Sequence, residues 1–136
     1  MRETSYGASL KVTGRRDTQP ERALRSALHR AGLRYRVDYR VGEGRSAPRP
    51  DIAFPRLRIA VFVDGCFWHQ CPEHGVMPKS NRAFWEPKLQ ANVERDARQT
   101  QHLQDAGWIV IRIWEHEPAE EAATRVQAAV MWRAHS

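Results

Sequence analysis

Cysteine is scarce in this chain of 136 residues, which holds only Cys66 and Cys71. Small domains held together by disulfides carry more, so a bridged secreted scaffold is excluded and two close thiols point to metal instead. Long apolar runs are also missing. The longest, 59–63, falls far short of the roughly 20 residues that a bilayer span needs. No apolar signal segment follows Met1, and a cytosolic chain is expected. Lysine is nearly absent, with three against 19 Arg. There is no internal repeat and no low-complexity tract. Hydrophobic content of 41% and five Trp suffice for one buried core, which excludes a wholly disordered chain and argues for a single domain.

Charge is present and unevenly spread. Residues 1–58 hold 14 Lys+Arg against 6 Asp+Glu, whereas 59–136 hold 8 against 10. Arginine's planar fork suits phosphate oxygens, so an Arg-rich half beside a neutral one reads as a nucleic-acid footprint. A generally Arg-rich surface of no special function gives the same composition.

Around the cysteines runs Cys66-Phe67-Trp68-His69-Gln70-Cys71-Pro72-Glu73-His74-Gly75. Cys66, Cys71 and His74 can wrap a tetrahedral zinc but leave it one ligand short, and His116 is the remote candidate for the fourth place. The plainer alternative is two buried thiols with solvent-facing histidines.

Patterning supplies the scaffold. The basic stretch 1–17 is expected to be a flexible lead into one domain, 18–136. Thr18-Gln19-Pro20-Glu21 opens a helix, which Gly32 should end. Tyr35 and Val37 alternate with charged residues as a half-buried strand, and 42–50 is a Gly/Pro/Ser/Arg loop. Segments 51–54 and 57–63 read as a hairpin whose second strand is apolar enough to be buried on both faces. An irregular excursion, 64–81, would be pinned down by bound zinc. A helix is expected from 81 to 106, with Trp85, Leu89, Val93 and Leu103 inward. A strand at 108–114 and a helix at 119–132 close the chain. The fold class is α/β, a mixed sheet flanked by helices.

Chemistry gathers at the strand ends. Asp51 and Asp64, at the ends of neighbouring strands, can share a hard divalent cation such as Mg²⁺, and His69 can take a proton from water. The alternative for Asp51 is a plain turn-capping role, and for His69 that of a spare zinc ligand.

Arg49-Pro50-Asp51, Phe62-Val63-Asp64-Gly65-Cys66-Phe67-Trp68-His69, Phe84-Trp85, Asn92-Val93-Glu94-Arg95-Asp96, Gly107-Trp108 and Trp114-Glu115 together resemble the very-short-patch-repair (Vsr) endonucleases, over most of the chain. The resemblance implies a restriction-endonuclease-like fold and a Mg²⁺-dependent nick 5′ to the thymine of a T:G mismatch left by deaminated 5-methylcytosine. It implies Asp51 and the Val63 carbonyl as Mg²⁺ ligands, His69 as general base and Glu21 as an acid near the site. Cys66, Cys71, His74 and His116 fall on zinc positions, with His74 preferred to Glu73 because imidazole is the commoner partner of thiolates. Asp64 stands where other members have His, so its part is either metal binding or orienting a water.

The resemblance also implies that Phe67, Trp68 and Trp85 enter the base stack. Parting a base step costs about a few kcal/mol, less at a mismatch. Trp85 in the core is the alternative, from its helical spacing with Leu89 and Val93. Lys88 and Asn92, one helical turn apart, can reach bases or phosphates. The expectation is therefore a monomeric, nucleoid-associated DNA nickase of mismatch repair with catalytic Mg²⁺ and structural Zn²⁺. Mismatch-repair proteins or a cytosine-5 methyltransferase would act in the same pathway. A restriction-type or other lesion-directed nickase is the first rival, and a non-catalytic zinc-dependent DNA-binding module the second.

Overall fold

The computed structural model describes residues 18–44, 47–66 and 80–135. Helix α1 (Gln19–Arg30) begins with a complete capping box, in which the Thr18 hydroxyl accepts from the Glu21 N–H and the Glu21 carboxylate accepts from the Thr18 N–H. Pro20 sits in the first turn, where its missing N–H removes no helix bond. The helix ends at the expected place, since Gly32 takes a positive φ of 86° that other residues avoid. Leu24, Ala27 and Leu28 are buried, while Ala31, the C-cap, is exposed.

Strand β1 (Ile52–Phe54) pairs antiparallel with β2 (Ile59–Asp64), and β2 pairs in parallel with β3 (Ile109–Trp114). The sheet is mixed, as its sequence suggests, with order β1-β2-β3. Two differences from expectation concern its margin. Residues 35–37 form no strand: Arg36 makes a single bridge to Ala53, and Asp38, at φ 57°, then turns the chain away. The hairpin turn spans four residues rather than two, because Arg58 adopts a left-handed conformation before β2 begins.

Alternation sorts the sheet into two faces. Ile59, Val61, Ile111 and Ile113 join Leu24, Leu28, Ala122, Ala123 and Val126 in the larger core, under α1 and α3 (Ala119–Ala134). Ala60 and Phe62 pack on the other face with Leu103 of α2 (Arg82–Asp105), against Val110 and Trp108. Leu89 of α2 is also buried, Trp85 is half-buried, and Val93, expected inward, is 37% exposed. Because β2 lies between two neighbours and under helices on both sides, all six of its residues are buried or nearly so. Among the described residues, no helix is long and apolar enough to cross a membrane.

Candidate active site

The C-terminal end of β2 is where the chemistry collects, and Pro50 is the reason its backbone is available. The β3 side of β2 is satisfied through even-numbered residues: Ile109 donates to the Arg58 carbonyl and Glu115 to the Asp64 carbonyl. Odd-numbered residues therefore face β1. The register pairs Ile52 with Val61, and two residues further on it sets Val63 opposite Pro50, where an antiparallel pair would exchange two hydrogen bonds. Proline has no N–H to give. The Val63 carbonyl is left without a ladder donor, and the Val63 N–H donates instead to Oδ2 of Asp51 at 2.7 Å. A carboxylate and a main-chain oxygen thus stand side by side at the end of a buried strand.

The first turn of α1 reaches the same end of the sheet. Gln19, Pro20 and Ala23 share a shallow groove with Glu115, Glu117 and Ala119, which follow β3. Glu21 in that turn is 2% exposed. One of its oxygens caps the helix, and the other, Oε2, has no hydrogen-bond partner among the described residues. A buried carboxylate oxygen with no protein donor is costly and suits a cation or a water.

Asp64, the last residue of β2, is held differently. Both its oxygens lie 3.1 Å from Nη1 of Arg112. Nε of that guanidinium donates to Thr100 Oγ1 at 2.8 Å, and Nη2 to the Asp96 carbonyl at 3.3 Å. Its plane lies over the Phe62 ring, 4.2 Å from the centroid. Among the described residues, no three His, Cys, Asp or Glu side chains converge on one point.

Cys66, two residues past β2, is buried, and its Sγ lies 3.3 Å from Nδ1 of His116. The Cys66 N–H donates to Oε2 of Glu115 at 3.1 Å, fixing the two turns to each other. Two ligands on tetrahedral zinc, with Zn–S and Zn–N bonds of about 2.3 and 2.0 Å, stand about 3.5 Å apart, so this pair fits two corners of such a site. Cys71, His74 and Glu73 lie outside the described residues, as do His69, Phe67 and Trp68.

Trp85, Lys88 and Asn92 lie on the N-terminal half of α2. Phe84 is 56% exposed beside Trp85, their rings edge to face at 5.1 Å, with Lys88 Nζ 5.0 Å from the Phe84 centroid. Sequence reasoning missed Arg112 and the part played by Pro50. Arg112 had a signal: it is the one charge in the strand Ile-Val-Ile-Arg-Ile-Trp, and a charge in a buried strand calls for partners.

An α/β domain with a carboxylate at the end of a central strand and an Arg-rich flank has the frame of a DNA endonuclease, and comparison with known proteins agrees on that class. Residues 7–73 match the family described as DNA mismatch endonuclease Vsr. The chain is 49% identical, over 87% of its length and 72% of the relative's, to the type II nicking enzyme V.NaeI of Lentzea aerocolonigenes. It is 41% identical to V.XorIIP of Xanthomonas oryzae pv. oryzae, over 79% of this chain and 77% of the relative. To the DNA mismatch endonuclease Vsr of Escherichia coli it is 38% identical, over 79% of this chain and 67% of that one. The chain belongs to the Vsr family of endonucleases.

Proposed function

We propose that this endonuclease nicks one strand of duplex DNA 5′ to the thymine of a T:G mismatch, by Mg²⁺-dependent hydrolysis. The observation that carries the reading is the Asp51–Val63 pair, in which a fixed carboxylate adjoins a main-chain oxygen that Pro50 leaves without a ladder donor. Hard oxygens of this kind suit Mg²⁺, which takes few protein ligands and shares the rest with water and phosphate. The orphaned Oε2 of Glu21 adds a second carboxylate at the same end of the sheet. When bound, the cation offsets negative charge on the phosphate as the bond to phosphorus forms.

The chain's own groups do the rest. Asp51 is fixed at the strand end by the Val63 N–H, which donates to its Oδ2. His69 takes a proton from a water whose oxygen attacks phosphorus, and the sugar oxygen on the far side leaves with the electron pair of the broken bond. Trp85, with Phe67 and Trp68, fills the gap where the mismatched step parts, and Lys88 and Asn92 meet backbone or base edges. A structural Zn²⁺ on Cys66, Cys71, His74 and His116 holds the segment after β2 against the turn after β3. The Cys66–His116 spacing supports this ligand set. The protein works as a monomer, since an asymmetric lesion gives a two-fold dimer no symmetric target.

Asp51→Ala is expected to abolish nicking while duplex affinity stays within about threefold, because one carboxylate contributes little to phosphate-driven binding. Cleavage retained by this variant would reject the role. A second reading has its own support. Relatives such as V.NaeI and V.XorIIP carry the name type II nicking enzyme, so a nickase without mismatch preference is the alternative. Equal cutting of T:G and fully paired duplexes would favour it.

A further inference from the structure

Among the described residues, Arg112 is a densely bonded side chain that the nicking chemistry does not use. It projects from β3 on the α2 face, level with Phe62 in the parallel register. Its side chain is 23% exposed, Asp64's 7% and Asp96's 15%. One positive charge faces two carboxylates here. The Asp64 oxygens are both at 3.1 Å, Asp96 Oδ1 is at 3.9 Å, and Thr100 Oγ1 and the Asp96 carbonyl complete the set.

Leu103 covers Ala60 and Phe62 on the sheet, and one to two turns back along α2 Thr100 and Asp96 meet Arg112. The remaining residues, 82–95, run on for about 20 Å at 1.5 Å per residue, with Leu89 buried among them. That length carries Trp85, Lys88 and Asn92. Arg112 bonds α2 at Thr100 and Asp96 and β2 at Asp64, so a change in its grip tilts α2 relative to the strand end near Asp51, and the lever arm enlarges that tilt at Trp85.

We propose that Arg112 is a positioning residue: its guanidinium, gripping Asp64 at the end of β2 and Asp96 and Thr100 on α2, aims the DNA-facing half of that helix at the Asp51–Val63 pair. Asp64 then serves as the counter-charge of this clamp and not as a cation ligand. The proposal rests on the nuclease reading for the DNA that α2 meets, but the clamp itself is a property of the free protein.

The test uses the full-length protein, with Arg112→Lys and Thr100→Val. Lysine keeps the charge but cannot reach Asp64, Thr100 and the Asp96 carbonyl with one ammonium. Valine removes a single acceptor and leaves the charges in place. In the absence of DNA, amide hydrogen exchange over 82–95 should rise at least tenfold in Arg112→Lys, while that of α1 and β1 stays unchanged. Exchange that is unaltered over 82–95, or raised uniformly, would overturn the clamp, whether or not the protein nicks DNA.

In the nicking assay, kcat should fall about a hundredfold for Arg112→Lys, the cost of a misplacement near 1 Å. KM for duplex should stay within threefold, and Thr100→Val should show a smaller loss of the same kind. A folded Arg112→Lys protein with kcat within threefold of the parent would refute the positioning role. Asp64→Asn should leave the Mg²⁺ concentration for half-maximal nicking unchanged, and a severalfold rise would make Asp64 a cation ligand. A parent protein that nicks no duplex would refute the nuclease reading alone, because the exchange measurement judges the clamp separately.

Discussion

Pro50 does more at the site than its inert ring suggests. It has no N–H to give, so continuing the ladder register by two residues leaves the Val63 carbonyl beside Asp51 without a ladder donor. Pro50→Ala restores an N–H at that position, so the Mg²⁺ concentration for half-maximal nicking should rise severalfold with little change in fold; an unchanged midpoint would show that the Val63 oxygen is not used. Cys66 offers a second residue-scale test. Purified protein should hold one zinc, by metal analysis, and Cys66→Ser should lose it and aggregate or unfold. Zinc-free protein of full activity would contradict the structural role. The places of Asp51 and Cys66 at the end of the sheet were legible in sequence because their neighbours form specific strings. Arg112 and the part of Pro50 were not, because each depends on a partner brought close only by strand register: Asp64 lies 48 residues from Arg112.

At the scale of elements, local chemistry made the helices readable. The capping box at Thr18 and Glu21, the positive-φ Gly32, and Gly107 at φ 89° after α2 are short-range signals that need no tertiary contact. The margin of the sheet was harder. Tyr35 and Val37 show the alternation of a strand, but pairing needs a neighbour running alongside, and β1 is only three residues long. Val93 fits the helical repeat yet is exposed, whereas Leu89, one turn earlier, is buried. Thr18→Ala removes the hydroxyl that accepts from Glu21 and should cost about 1 kcal/mol. That corresponds to about 4 °C in Tm for a domain of this size. Because Glu21 caps the same turn, kcat should fall as well if its free oxygen serves the site. A thermal midpoint equal to the parent's would show that the capping box contributes nothing.

For the whole molecule, the asymmetry of charge is the feature that sequence shows most directly and side-chain placement bears out in part. Arg34, Arg36, Arg40, Arg49, Arg56 and Arg58, all from the basic half, are exposed. Arg36 also lies 5.6 Å from the Tyr39 ring, and Arg49 pairs with Asp38, so not every guanidinium is idle before DNA arrives. If about six phosphates are neutralised, affinity should drop by about 10³ between 50 and 200 mM salt. A flat titration would contradict electrostatic binding. The account as a whole is tested most directly by a strand-labelled nicking assay with the parent and Asp51→Ala, on T:G, other mismatched and fully paired duplexes, with and without Mg²⁺. It predicts a single nick 5′ to the mismatched thymine, seen only with Mg²⁺ and absent in the variant. A nick that persists without the cation or without the Asp51 carboxylate, or no nick on any duplex, would contradict it.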